Sequence, residues 1–311
     1  MTDICQGKIE LRKKGKYTII KIVLIQRTSK EGEFIMKSKY AYRREWYTHM
    51  LGSPSDYYFE PFKITGNLYF VGSKDSASHL IDTGDGLILI DTGYPNMGGI
   101  LLHSIWKCGF SPENIKIILH THGHFDHFGN TNFLAKISGA KTYLGKEDAV
   151  MFEENPRLTL IDYFDGVPTE MFIPDIEIND GDKICLGNTV IEAIHTPGHS
   201  QGAYTFRFCV QDQGINYYAT LCGGAGFNTL NKTFIEETGL NWRKDFEKSL
   251  DIWEGMQTDI YLGNHTPQSN VIKKREVQMK KEKNPFINPG EWKEYIRELK
   301  QSYNKMVDEE G

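Results

Sequence analysis

No run of roughly twenty apolar residues occurs in this 311-residue chain, so the sequence offers no helical membrane span. Its five cysteines (Cys5, Cys108, Cys185, Cys209 and Cys222) are odd in number, scattered and without a C-x-x-C pair, which argues against a disulfide framework and for reduced thiols. Neither G-x-x-x-x-G-K-[ST] nor a helix-opening G-x-G-x-x-G is present, so no phosphate-cradling loop is legible. Acidic residues outnumber basic ones, 41 to 36. The formal net charge of −5 tells against a general polyanion binder, and nucleic acid is not an expected partner. What remains, 39% hydrophobic and 25% charged residues, is ordinary for a soluble globular protein.

Charge is unevenly placed. From Met1 to Arg44 twelve Lys or Arg stand against four acidic residues, a net +8 that leaves −13 on the rest. The segment 1–56 reads as a basic, partly disordered extension ahead of one main domain, 57–311. Within it Thr18–Ile25 (TIIKIVLI) faintly imitates a signal peptide, but it is short, carries Lys21 and lacks a small-x-small cleavage site. The expected location is cytoplasmic, with export or an N-terminal anchor as alternatives, and Met36 is a candidate start. Arg43–Leu51 could form a short helix.

Beyond Pro54 and Pro61 the pattern turns to strands and helices in alternation. Leu68–Val71, His79–Asp82 and the continuous apolar Leu87–Ile90 read as strands, the last buried on both faces. Gly99–Cys108 reads as a helix stopped by Gly109, Ile115–Leu119 as a buried strand, Asn132–Ser138 as a helix stopped by Gly139, and Lys141–Leu144 as a strand. Met151–Glu177 is irregular and aromatic, and Phe152, Tyr163 and Phe164 there either line a substrate site or plug the space under a long loop. Strands resume at Asp182–Leu186, Thr189–Ile194, Ala203–Val210 and Asn216–Leu221, and helices dominate Trp242–Met256 and Glu291–Val307. This alternation predicts a layered α/β core.

The chemistry concentrates in His122-Gly123-His124-Phe125-Asp126-His127, three imidazoles and a carboxylate within six residues of a strand's end. Imidazole suits zinc and its neighbours, and carboxylate suits slightly harder ions, so the mixture can hold two metals if further histidines arrive from elsewhere. His199, in the turn after Asn188–Ile194, and His265, after Ile260-Tyr261-Leu262, are the two candidates. A loop leaving a strand can aim successive side chains at one point, whereas the strand itself alternates them between faces.

Taken in order, these marks resemble the metallo-β-lactamase superfamily: Leu87-Ile88-Leu89-Ile90-Asp91-Thr92-Gly93, the HxHxDH stretch, Thr196-Pro197-Gly198-His199-Ser200, and His265. The tail, Asp259–His265 with Asn284-Pro285-Phe286-Ile287-Asn288-Pro289 and Trp292, is similar to the third, histidine-rich dizinc subclass of its β-lactamases. The likeness covers about Tyr57 to Tyr303. It implies an αββα sandwich with the metals at one edge between the sheets. It further implies His122, His124 and His199 on a first zinc and Asp126, His127 and His265 on a second. Asp126 would also orient the attacking hydroxide, and Asp91 would fix an imidazole, the alternative being a carboxylate that caps the turn at Gly93. Iron or manganese would suit these ligands too.

His120 and His195 are read as structural or as supports to the ligands, His79 and His103 as structural, and Cys222 as close to where some relatives place a metal-contacting residue. Relatives that hydrolyse thioesters, lactones or phosphodiesters commonly carry a bridging aspartate some twenty residues beyond the third histidine. Between Gln213 and Asp245 this chain has none. The implied activity is opening of a cyclic amide in a small-molecule substrate. A lactonase or other small-ester or thioester hydrolase is one alternative, and a noncatalytic or redox metal-binding module is another.

Overall fold

The computed structural model describes residues 49–50, 52–161, 169–280 and 283–311, with the backbone alone of Ile9–Lys14 and Tyr17–Ile22. Most of the Arg43–Leu51 segment lies outside the described residues, as do Met36, Tyr163 and Phe164. The chain divides into two units, Met1–Arg43 and Arg44–Gly311. In the first, β1 (Ile9–Lys14) pairs antiparallel with β2 (Tyr17–Ile22), so the apolar run that begins at Thr18 supplies a strand.

The second unit holds two sheets. Seven strands lie side by side in sequence order: β3 (Phe62–Thr65), β4 (Leu68–Phe70), β5 (His79–Asp82), β6 (Leu87–Ile90), β7 (Ile115–Leu119), β8 (Lys141–Gly145) and β9 (Ile176–Ile178). Pairing is antiparallel from β3 to β6 and parallel from β6 to β9. Parallel neighbours need crossovers. These are α1 (Gly98–Lys107), then α2 (Phe125–Phe128) with α3 (Thr131–Ser138), then α4 (Lys146–Glu154). The second sheet is a meander of β10 (Lys183–Leu186), β11 (Thr189–His195), β12 (Tyr204–Asp212) and β13 (Ile215–Cys222). After α5 (Lys232–Thr238) and α6 (Arg243–Glu254), β14 (Ile260–Gly263) joins β13 in parallel, and α7 (Val271–Met279) and α8 (Pro289–Glu310) follow.

Side-chain alternation assigns the layers. Ile81, Ile88, Ile90 and Leu119 face Ile191, Ala193, Phe206, Leu221 and Leu262 between the sheets. Leu80, Leu87, Leu89 and Ile118 point the other way, onto Leu101 and Ile105 of α1 and Leu134 of α3. On the far side Cys222 and Tyr261 pack against Phe246 and Trp253 of α6 and Trp292 and Ile296 of α8. This is the four-layer αββα sandwich, and burial on both faces is why β6 reads as an unbroken apolar run. No helix among the described residues is long and apolar enough to cross a membrane.

The segment expected to be irregular, Met151–Glu177, differs at both ends. Helix α4 takes in Met151–Glu154, and β9 begins at Ile176. Only Asp148, Ala149 and Met151 of α4 are buried, so its apolar period was too sparse to read. Phe152 is a plug: its ring packs between Phe128 at 4.9 Å and Phe172 at 5.4 Å.

Trp253 ties the second sheet to the helices. It is fully buried, its Nε1–H donates to Thr205 Oγ1 at 2.7 Å, and its carbonyl accepts Trp292 Nε1–H at 3.0 Å. Trp253→Ala is expected to destabilise the protein by about 3–5 kcal/mol, read from the denaturant midpoint. A loss below about 1 kcal/mol would show that this contact does not hold the layer in place.

Candidate metal centre

Three loops supply the histidines. The chain leaves β7 at Leu119 and carries His122 and His124 before α2 begins, and α2 holds Asp126 and His127. His199 sits in the turn between β11 and β12, and His265 follows β14. His122 Nε2 and His199 Nε2 each lie 3.0 Å from His124 Nδ1. Beside them, Asp126 Oδ2 lies 3.4 Å from His127 Nε2 and 3.3 Å from His265 Nε2. The rings of His122 and His127, 4.2 Å apart, join the two sets. Thus all six residues singled out in the sequence come together, as His122, His124 and His199 and as Asp126, His127 and His265, with ligand atoms within 4.8 Å inside each set.

Partners on the outer nitrogens decide which atoms face inward. His127 Nδ1–H donates to Asp91 Oδ2 at 2.8 Å, and His199 Nδ1–H donates to the Gly226 carbonyl at 2.8 Å. Thr121 Oγ1 donates to Asp91 Oδ2 at 2.7 Å and accepts from His122 Nδ1–H at 3.0 Å. The Thr121 N–H also donates to Asp91 Oδ1, at 2.8 Å. One carboxylate therefore orients an imidazole of each set. Asp91 does so from a left-handed backbone, φ 60°, which is uncommon for a residue other than glycine.

Burial pushes the His122 and His124 imidazoles well below their ordinary range, with repulsion from His127 and from His199 adding to it, and burial takes His199 down to about 4. Burial also opposes charge on Asp126, but His127 and His265 outweigh it and hold that carboxyl well below its usual range. Burial acts to lower His127 too, yet Asp126 and Asp91 lift it to about 9. Against the same burial, Asp126 and Asp75 hold His265 well above its ordinary value. The first set is thus three neutral lone pairs facing one another, and the second is a carboxylate drawing positive charge to its neighbours.

This donor chemistry fits divalent cations. Nitrogens about 2.0–2.1 Å from one tetrahedral ion lie about 3.3 Å apart, close to the spacing of the first set. His127 Nε2 is buried without a hydrogen-bond partner, as expected of an atom reserved for coordination.

Two supports were not legible in the sequence. Asp75 Oδ2 lies 3.5 Å from His265 Nδ1, and the backbone around it pairs with the His265 loop through Ala77 N–H to Asn264 O (3.0 Å) and Thr266 N–H to Asp75 O (2.7 Å). The loop Gly223-Gly224-Ala225-Gly226 cradles His199, since a Cβ on Gly224 would stand 2.7 Å from the His199 ring. Glycine density was the one available signal. His120 is structural, with Nδ1 2.8 Å from the Tyr143 carbonyl and Nε2 2.7 Å from Thr131 Oγ1. His195 donates to the Gln201 carbonyl at 2.7 Å, and His103 lies beside Tyr58 on α1. Cys222 belongs to neither set; it is buried in the apolar layer, which pushes its thiol up to about 12.

Comparison with known proteins agrees with this geometry. Residues 72–208 match the model of the metallo-β-lactamase superfamily. The native FEZ-1 metallo-β-lactamase from Legionella gormanii superposes with a TM-score of 0.73 at 30% identity, over 81% of this chain and 97% of that one. The class B3 di-zinc metallo-β-lactamase LRA-12 from an Alaskan soil metagenome gives 0.71 at 28% identity, over 81% and 95%. A hydroxyacylglutathione hydrolase of Anaeromyxobacter dehalogenans is 27% identical over 130 residues, 42% of this chain and 41% of that protein. Matches to the first curated relatives span only 39% to 56% of their length. The chain belongs to the metallo-β-lactamase superfamily, with class B3 enzymes among its structural neighbours.

Asparagine tolerates the left-handed region, so Asp91→Asn keeps the backbone while turning an NH2 group toward a donor it should accept from. Metal affinity is expected to fall tenfold to a hundredfold in chelator competition. Unchanged affinity would remove Asp91 from the site's design.

Proposed function

We propose that this protein is a metal-dependent hydrolase that works with two zinc ions and opens a cyclic amide, as in β-lactam hydrolysis. The observation that carries the reading is the pair of adjoining three-ligand sets at one edge of a fold shared with class B3 β-lactamases. In this reading His122, His124 and His199 hold one ion and Asp126, His127 and His265 the other, each left with open positions as catalytic sites require. Two such ions would supply Lewis acidity for the scissile carbonyl and lower the pKa of nearby water. Asp126 faces the two imidazoles with Oδ2. Its other oxygen can then orient a water for attack and take up its proton.

Zinc is proposed because five of the six ligands are imidazoles; iron and manganese remain compatible with the set. A small-molecule substrate and a cytoplasmic location belong to the same proposal, and the −13 charge of residues 45–311 goes against a nucleic-acid substrate. A second reading, hydrolysis of a small ester or thioester, draws support from the likeness to hydroxyacylglutathione hydrolase. Against it stands the end of β13, where the chain runs Cys222-Gly223-Gly224-Ala225 and offers no carboxylate.

Zinc-loaded protein assayed in parallel on a chromogenic cephalosporin and an acyl-homoserine lactone is expected to open the cephalosporin in preference. Turnover of the lactone alone would favour the second reading, and no turnover of either by protein holding two ions would count against both. His124→Ala is expected to abolish turnover and lower metal content, while His103→Ala, remote on α1, leaves both within about twofold. Full activity in His124→Ala would overturn the site.

A further inference from the structure

Asp148, in the first turn of α4, is fully buried. Its Oδ2 accepts the Gly123 N–H and the Ser200 Oγ–H, and its Oδ1 accepts the Gly202 N–H, each at 2.7 Å. Gly123 lies between His122 and His124, and Ser200 follows His199. One carboxylate thus joins the loop leaving β7 to the turn after β11, two segments of different sheets that supply the whole first set of imidazoles.

The approach is close on both sides. A Cβ at Gly202 would stand 2.4 Å from the Asp148 nitrogen and 2.7 Å from its Cγ, and one at Gly123 would stand 3.1 Å from its Cβ. A buried carboxylate is costly unless hydrogen-bonded, and here all its partners are donors of the two ligand-bearing segments. Three neutral imidazoles gain nothing by turning their lone pairs toward one another, so contacts outside the rings must hold their two loops together, and the Asp148 hydrogen bonds are such contacts.

We infer that Asp148 is a positioning residue for the first metal, setting the affinity of the His122, His124 and His199 set through the hydrogen bonds that lock their two loops together. The inference rests on the reading of that set as metal-holding. Asparagine cannot replace it, because either orientation of the amide turns its NH2 toward a backbone N–H.

The test is cobalt(II) titration of the metal-free full chain, followed by visible absorption and by the cobalt retained after gel filtration. Wild type is expected to take up two equivalents. In Asp148→Asn one equivalent should bind at least tenfold more weakly, with an altered absorption band, and the other should change less than twofold. Ser200→Ala, which removes one of the three donors and leaves the carboxylate, should show a smaller loss in the same equivalent, and it serves if Asp148→Asn fails to fold. Equal weakening of both equivalents, or none, in whichever variant folds would overturn the inference and mark Asp148 as general scaffolding. Failure of wild type to bind cobalt would instead sink the metallohydrolase reading itself.

Discussion

A neutral imidazole can turn a lone pair into a common space only if its proton sits on the far nitrogen, and the structure places an acceptor there for His122, His127 and His199. Asp91 receives the proton side of His127 directly and that of His122 through Thr121, while the Gly226 carbonyl receives that of His199. Asp75 lies on the outer side of His265. With those protons drawn outward, the inner nitrogens of the first set face one another at 3.0 Å, a spacing that one shared ion would fill.

The sandwich makes this arrangement possible because its sheets bring the ends of distant strands to one edge. Asp91 closes β6, the histidine loop leaves β7, and the hydrogen bond from Asp91 N–H to the Leu119 carbonyl (2.9 Å) extends the parallel pairing of these strands to the site. The second sheet contributes His199 and His265 from β11 and β14, which are separated in that sheet by β12 and β13. The apolar core between the sheets therefore fixes the separation of the two halves of the site, and side-chain hydrogen bonds make the final adjustment.

Much of this was legible in the sequence because it is local. HxHxDH after an apolar strand, a histidine in a Thr-Pro-Gly-His turn and strands with unbroken apolar runs each carry their meaning within a few residues. The run Leu87–Ile90 coincides with strand β6, whereas the role of Phe152 depends on its tilted and edge-on packing against Phe128 and Phe172, which lie elsewhere along the chain. Asp75 and Asp148 were not legible, since each acts on segments far along the chain and neither position has a local pattern. Helix α4 has only a sparse apolar period for a related reason: its buried side holds the hydrogen-bonded Asp148 where a helix usually places an apolar residue.

The six donors also differ in access, and this gives the site a front and a back. His122, His124 and His127 are almost wholly buried and His199 is 6% exposed, whereas the side chain of His265 is 26% exposed and that of Asp126 10%. A substrate must approach from where donors are reachable, so the His265 side is the front. That side is positioned by backbone pairing with Ser73–Ala77 and by a longer contact to Asp75, a softer arrangement than the three 2.7 Å hydrogen bonds on Asp148 behind the first set. The three hydrogen bonds on Asp148 and the pairing on Asp91 thus hold the loops of the first set by more and shorter side-chain contacts than the single 3.5 Å approach of Asp75 gives His265, so the most reachable donor lies on the side with the fewest side-chain supports.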